Sequence, residues 1–257
     1  MATYTTEITS DSIESDNPIH QRLIKAYYIA TPYFTGDLLE IGCGEGRGID
    51  LIEGKCQRYV AVDKNGPIIE RLGTRYPWGE FKQMDIPPLG GIADNTFDRV
   101  ISFQVIEHIK NDKAYLQEIR RVLKPGGIAL ITTPNRKFTL TRNPWHEREY
   151  LAVELNALCR EVFKQVEIKG IGGNKKVMEY YNQNKASVQK ITRFDVFDLQ
   201  HKLPASWLQW PYEVLNRMNR KKLQHQDNQL VATISHNDYQ LNDSAEEGLD
   251  LFCILTK

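Results

Sequence analysis

The sequence predicts a doubly wound α/β fold, with a seven-stranded, mostly parallel sheet, helices on both faces and a helical insertion between the last two strands. Short apolar runs rich in β-branched residues alternate with longer amphipathic stretches, which is the trace that βαβ units leave in a sequence. A glycine-dense turn from Gly42 to Gly48 follows the first such run. Open α/β sheets build their ligand crevices at such strand ends.

The elements follow in order. Asp37 to Ile41 reads as strand one, with a helix from about Arg47 to Gly54 after the glycine turn, and Arg58 to Val62 as strand two, ending at Asp63. Pro67 to Tyr76 is helical, with Pro67 in the first turn where its missing N–H costs nothing. Glu80 to Met84 is strand three, ending at Asp85, and Asp98 to Phe103 is strand four. Asn111 to Leu123 carries Ala114, Tyr115, Ile119, Val122 and Leu123 at helical spacing. Lys124-Pro125-Gly126-Gly127 stops that helix and leads into strand five, Ile128 to Thr132. A loop from Asn135 to Glu147 precedes a helix over Arg148 to Cys159, and Phe163 to Ile168 is strand six. Leu249 to Thr256 alternates as strand seven, about eighty residues later. The expected organisation is a helical cap over 1–36, a core over 37–171 and 249–257, and a helical lid over 172–248.

The length of 257 residues suits one large domain, and 33 basic residues balance 33 acidic ones. That balance argues against a polyanion-binding surface, and no nucleic-acid partner is expected. Cys43, Cys56, Cys159 and Cys253 are far apart and form no CxxC pair, which fits free thiols in a reducing compartment. Residues 1–15 lack the basic start and apolar core of a secretory signal. No apolar run approaches the ~20 residues that span a bilayer. A cytoplasmic location is expected.

The turn after strand one reads Glu40-Ile41-Gly42-Cys43-Gly44-Glu45-Gly46-Arg47-Gly48. A dinucleotide fingerprint needs G-x-G-x-x-G, and its third glycine falls on Arg47 or Ile49 in the two possible frames. E-x-G-x-G-x-G does fit, with an acid at the end of strand two, Asp63, and another at the end of strand three, Asp85. With Phe97-Asp98-Arg99-Val100-Ile101-Ser102, Val105-Ile106-Glu107-His108-Ile109 and Leu123-Lys124-Pro125-Gly126-Gly127, the chain resembles the class I S-adenosylmethionine-dependent methyltransferases. The likeness is to their small-molecule branch related to the quinone-biosynthesis enzymes, and it covers about Leu38 to Gly170. It implies a Rossmann-like fold and S-adenosylmethionine as cofactor, with S-adenosylhomocysteine as product.

By that resemblance Asp63 binds the ribose and Asp85 the adenine amine, with the Ile86 backbone reading the ring and Lys64 and Met84 beside the two acids. Gly42, Cys43, Gly44 and Gly46 admit the methionine portion, and Glu40 braces the turn or approaches the ammonium group. Phe103 and Gln104 line the methionine side, and Arg22, on a helix before strand one, approaches the carboxylate. The simpler alternative for the acids is that each caps the helix that follows its strand.

Methyl transfer from a sulfonium is an in-line displacement governed by positioning, so a base is optional. His108, after strand four, and His146, in Asn143-Pro144-Trp145-His146-Glu147-Arg148-Glu149-Tyr150, are the candidates to deprotonate a hydroxyl acceptor. Both also read as ordinary packing residues. Gln104-Val105-Ile106-Glu107-His108 resembles the metal-binding stretch of small-RNA 2′-O-methyltransferases, but Gln104 stands where those carry a glutamate, and no metal is expected.

The segment from Phe194 to Met218 is dense in Phe, Leu and Trp and is followed by Arg217, Arg220, Lys221 and Lys222. It suits a cap over the acceptor, a peripheral membrane contact, a homodimer contact or plain packing. The leading expectation is methyl transfer to an oxygen, nitrogen or carbon of a small molecule. The alternatives are a cofactor-binding regulatory module without turnover, an RNA or protein methyltransferase, and an NAD-dependent oxidoreductase, for which the turn is wrong.

Overall fold

A computed structural model describes residues 13–193, 195 and 199–257. The first twelve residues of the expected cap, and Phe194 and Phe197 of the aromatic segment, lie outside it.

The chain opens with α1 (Asn17–Ala30), then β1 (Asp37–Ile41), α2 (Ile49–Ile52), β2 (Arg58–Asp63), α3 (Gly66–Arg75), β3 (Glu80–Gln83) and β4 (Phe97–Phe103). It continues with α4 (Asp112–Val122), β5 (Leu123–Pro134), α5 (Ala152–Arg160), β6 (Gln165–Gly173), α6 (Lys175–Thr192), α7 (Leu199–Lys202), α8 (Ala205–Gln226), α9 (Asn228–Thr233), β7 (Tyr239–Asn242) and β8 (Asp250–Thr256). One sheet holds all eight strands in the order β3-β2-β1-β4-β5-β8-β6-β7. β3, β2, β1, β4 and β5 run parallel. β8 is antiparallel to both β5 and β6, and β7 is antiparallel to β6.

The sheet therefore has eight strands where the sequence predicts seven. The additional strand, β7, lies inside the segment read as a mostly helical insertion. It is only four residues long and pairs with Gly170 to Gly173, where the apolar alternation of β6 has already given way to glycine. That glycine stretch belongs to the strand because of close packing: a Cβ on Gly170 would lie 2.8 Å from the Gly248 backbone.

Strand alternation sorts the core into two layers. Leu38, Ala61, Ile101, Leu130 and Phe252 face α1, α3, α6 and α8, whereas Leu39, Val60, Val100, Ile131 and Cys253 face α4 and α5. Neighbours such as Leu38 and Leu39 point to opposite faces because the side-chain period of a strand is two. Each such buried aliphatic contributes roughly 1.5–3 kcal/mol, well above the surface ion pairs.

Helix starts follow local chemistry. Asn65 accepts from the Ile68 N–H at 3.3 Å and Asn111 from the Ala114 N–H at 3.1 Å, each capping its helix. Two starts differ from the sequence reading. α2 begins at Ile49 rather than Arg47, because Gly42, Gly44 and Gly46 all take positive φ and keep the chain in turns. α5 begins at Ala152 rather than Arg148, because Tyr150 forms a bridge to Asn135 and donates to Asp112 at 2.9 Å.

Candidate functional site

The turn after β1 continues the sheet before leaving it: the Gly42 N–H donates to Val62 O at 2.8 Å. With φ of 75° and a would-be Cβ 2.4 Å from Val105, Gly42 is required by packing. Gly44, at φ 49°, differs, because a Cβ there would meet nothing within 4 Å. Its bare face borders open space, which is the form a backbone takes where a ligand approaches. The Gly44 N–H donates to Asp63 Oδ2 at 2.9 Å, and the Asn65 N–H donates to Asp63 Oδ1 at 2.9 Å. Each carboxylate oxygen keeps a lone pair for a hydroxyl donor. Together these residues could hold a polar ligand bearing a hydroxyl pair. The Met84 N–H donates to Asp63 O at 2.9 Å, which sets Met84 beside Asp63. Lys64 and Asp85 are exposed and Ile86 is half-buried, at the rim formed by the ends of β2 and β3.

Behind the turn Glu40 is buried, and its carboxylate accepts from the hydroxyls of Tyr27, at 2.6 Å, and Tyr59. Burial pushes the Glu40 carboxyl upward against the opposing pull of the two hydroxyls. Burial, reinforced by Glu40, raises both tyrosines well above their ordinary value. This triad joins α1, β1 and β2 under the glycine turn. Burial likewise raises the Cys43 thiol and keeps it protonated. Phe103 stands edge-to-face on Tyr27 with ring centres 4.8 Å apart.

Gln104 follows with φ of 59°, a conformation costing of order 1–3 kcal/mol in a non-glycine residue. Its N–H donates to Thr132 O at 2.9 Å, anchoring the bend between β4 and β5.

Beyond the carboxyl ends of β4 and β5 lies a cavity of about 280 Å³. Arg22, Gln104, His108 and His146 line it, with Glu107 and Glu149, as do Tyr180 from α6 and Tyr212 and Asn219 from α8. Four of the sequence-derived site residues thus meet here. The glycine turn, Asp63, Asp85 and Ile86 do not line this cavity and form the neighbouring rim over β1 to β3.

The two histidines hold a defined geometry. His108 Nδ1 lies 2.9 Å from Trp145 O, and His146 Nδ1 lies 2.6 Å from Glu149 Oε1. Both acceptors place the proton on Nδ1 and leave the lone pair on Nε2. The Asn143 amide donates to His146 Nε2 at 2.8 Å. The two rings stand edge-to-face at 4.9 Å. Glu107 is buried beside them, accepts from Thr133 Oγ1 at 3.0 Å, and is pushed up to about 7 by burial, with His146 pulling the other way. Glu107, His108 and His146 present atoms within 4.8 Å of one another, a spacing that could surround a cation.

Arg22 is turned toward the protein, its Nε 3.3 Å from Asp250 Oδ2 at the start of β8. Asp250 is buried, and burial raises its carboxyl while Arg22 draws it back. Sequence reasoning passed over Asp250 as a strand residue and Glu107 as part of a motif. The one available signal was the i, i+3 spacing of His146 and Glu149, which sets an imidazole against a carboxylate.

The fold is shared with solved S-adenosylmethionine-dependent methyltransferases. Residues 39–131 match the family described as a methyltransferase domain. A possible histamine N-methyltransferase from Thermotoga maritima superposes with a TM-score of 0.57, covering 95% of this chain and 94% of its own at 15% identity. This likeness shows the fold.

Among curated proteins, a probable S-adenosylmethionine-dependent methyltransferase of Mycolicibacterium smegmatis is 38% identical over 136 residues, covering 51% of this chain and 52% of its own. The ubiquinone biosynthesis O-methyltransferase of Cereibacter sphaeroides is 31% identical over 106 residues, 38% of this chain and 41% of its own. The chain therefore spans about half the length of the curated relatives it matches.

Proposed function

We propose that this protein transfers the methyl group of S-adenosylmethionine to a hydroxyl oxygen of a small molecule. The observation that carries the cofactor reading is the hydrogen bond from the Gly44 N–H to Asp63, which fixes a bare backbone face and a half-buried carboxylate in one rim. Glu40 would brace that rim from behind through Tyr27 and Tyr59, and Asp85 and Ile86 would border the adenine. The bound cofactor supplies a methyl group on a sulfonium, already activated for displacement.

The chain's own residues supply position and a proton acceptor. The new bond joins the acceptor oxygen to the methyl carbon as the sulfur–carbon bond breaks, and the hydroxyl proton passes to His108 Nε2. Trp145 O holds the His108 ring by its Nδ1–H, while His146, fixed by Glu149 and Asn143, packs against its edge. Residues 172–248 act as the lid, since Tyr180, Tyr212 and Asn219 line the cavity along with the histidines. An aromatic hydroxyl is the favoured acceptor. The aromatic walls and the likeness to the ubiquinone O-methyltransferase support it.

Titration calorimetry with S-adenosylhomocysteine, followed by incubation with methyl-tritiated cofactor and a panel of phenols, catechols and sugars, tests this reading. Micromolar binding and label in an aryl ether are expected. No affinity for the cofactor product would overturn the assignment, and binding with no transfer to any hydroxyl would favour a module without turnover.

A further inference from the structure

We propose that the outer face of α8 docks on an anionic phospholipid surface, seating a lipid phosphate in the notch where Ser187 and Lys190 of α6 meet Lys222 of α8. Trp207 and Trp210 are 70% and 74% exposed, and Met218 is 63% exposed. With Val214 between them these residues recur at i, i+3 and i+4, so they share one helix face. The same row continues one turn further to Lys222. Two bare tryptophans beside lysines match the headgroup region of a bilayer, where indole sits at the apolar boundary and ammonium meets phosphate.

The notch has its own geometry. It encloses about 280 Å³ and is lined by Ser187, Lys190, Lys222 and Asp227, among others. Ser187 Oγ is buried and has no hydrogen-bond partner among the described residues, although buried hydroxyls normally find one. Asp227 caps α9, accepting from the Leu230 N–H at 2.9 Å. A phosphate in the notch would meet both lysines.

Charge distribution points to the same occupant. In a chain whose 33 basic and 33 acidic residues cancel, the stretch from Tyr180 to Gln226 holds eight basic residues and three acidic ones. Arg217 and Arg220 pair inward with Asp16, which leaves lysines on the outer side. A second copy of this chain docked there would set like charges against each other, whereas an anionic leaflet complements them. Tyr212 and Asn219 on the inner side of α8 line the cavity described above, so α8 would lie between that cavity and the bilayer.

Cosedimentation of the full chain with phosphatidylcholine vesicles, and with vesicles that also contain phosphatidylglycerol, tests the proposal. Binding is expected to be about tenfold tighter to the anionic vesicles and to shift tryptophan emission to the blue. The pair Trp207→Ala/Trp210→Ala and the pair Lys190→Glu/Lys222→Glu should each weaken it about tenfold. Circular dichroism verifies that both pairs fold. Equal or absent binding to the two vesicle types would overturn the proposal. So would capture of inorganic phosphate that the tryptophan pair leaves unchanged without vesicle binding, or a dimer in solution that this pair dissolves.

Discussion

Arg22 on α1 and Asp250 at the start of β8 form an ion pair, Nε to Oδ2 at 3.3 Å, that fastens the first helix to the strand in the middle of the antiparallel region. Asp250 is buried, whereas the Arg22 side chain is 26% exposed. Removing one partner of a buried pair costs about 3–5 kcal/mol, and partial exposure of the arginine sets the lower end. Arg22→Ala should therefore lower stability by about 3 kcal/mol in urea denaturation. Asp250→Asn should cost less, because the charge it leaves unpaired is on the more exposed partner, Arg22.

Gly44 distinguishes the fold of the turn from its proposed binding role. Alanine there has no clash but must hold φ near 49°, a cost of about 1–2 kcal/mol. Its methyl group enters the open space beside the Asp63 carboxylate. Calorimetry of Gly44→Ala should show affinity for S-adenosylhomocysteine falling by more than about tenfold, with only a small drop in melting temperature. Asp63→Ala should lose the same binding and also free the Gly44 and Asn65 amides.

Glu107 couples stability to pH. Its carboxyl titrates at about 7 in the folded chain against 4.5 for an ordinary glutamate. Between those values the unfolded chain holds fewer protons, so stability from this group is complete below pH 4.5, declines as pH rises through 7, and is then flat. The shift corresponds to about 3 kcal/mol. Glu107→Gln keeps an acceptor for Thr133 and removes that decline. The difference between variant and parent in melting curves taken from pH 4.5 to 8 should grow with pH, in favour of the variant.

The histidines should split by role. His108→Ala is expected to lower kcat by about 10²–10⁴ while binding of the cofactor product stays unchanged. Glu149→Gln weakens the acceptor that fixes the His146 tautomer, so its effect should be smaller and should shift the pH profile of kcat. Equal losses in both variants would assign the proton to His146 instead.

Much of the rim was legible in the sequence, because Gly42, Gly44, Gly46 and Asp63 answer to local rules about strand ends and backbone conformation. The parallel strands β1, β2, β4 and β5 were equally plain, being apolar runs bounded by turns. β7 was not, since four edge residues leave almost no periodic signal and its partner strand is written in glycines. The ion pair of Arg22 with Asp250 joins residues more than two hundred positions apart. No window of sequence holds both, so the pairing left no local signal. The Tyr27–Glu40–Tyr59 triad was hidden because its members sit on three separate elements, α1, β1 and β2.

β5 and β6 do not pair with each other. Cys253 of β8 stands opposite Ile131 on one flank and Ile168 on the other, so a single seven-residue strand unites the parallel half of the sheet with its remaining two strands. Assembly must wait for a segment made some eighty residues after β6, a topology with high contact order and correspondingly slow closure. Until it arrives, β5 and β6 each present a naked hydrogen-bonding edge, and nascent chains are open to mispairing there.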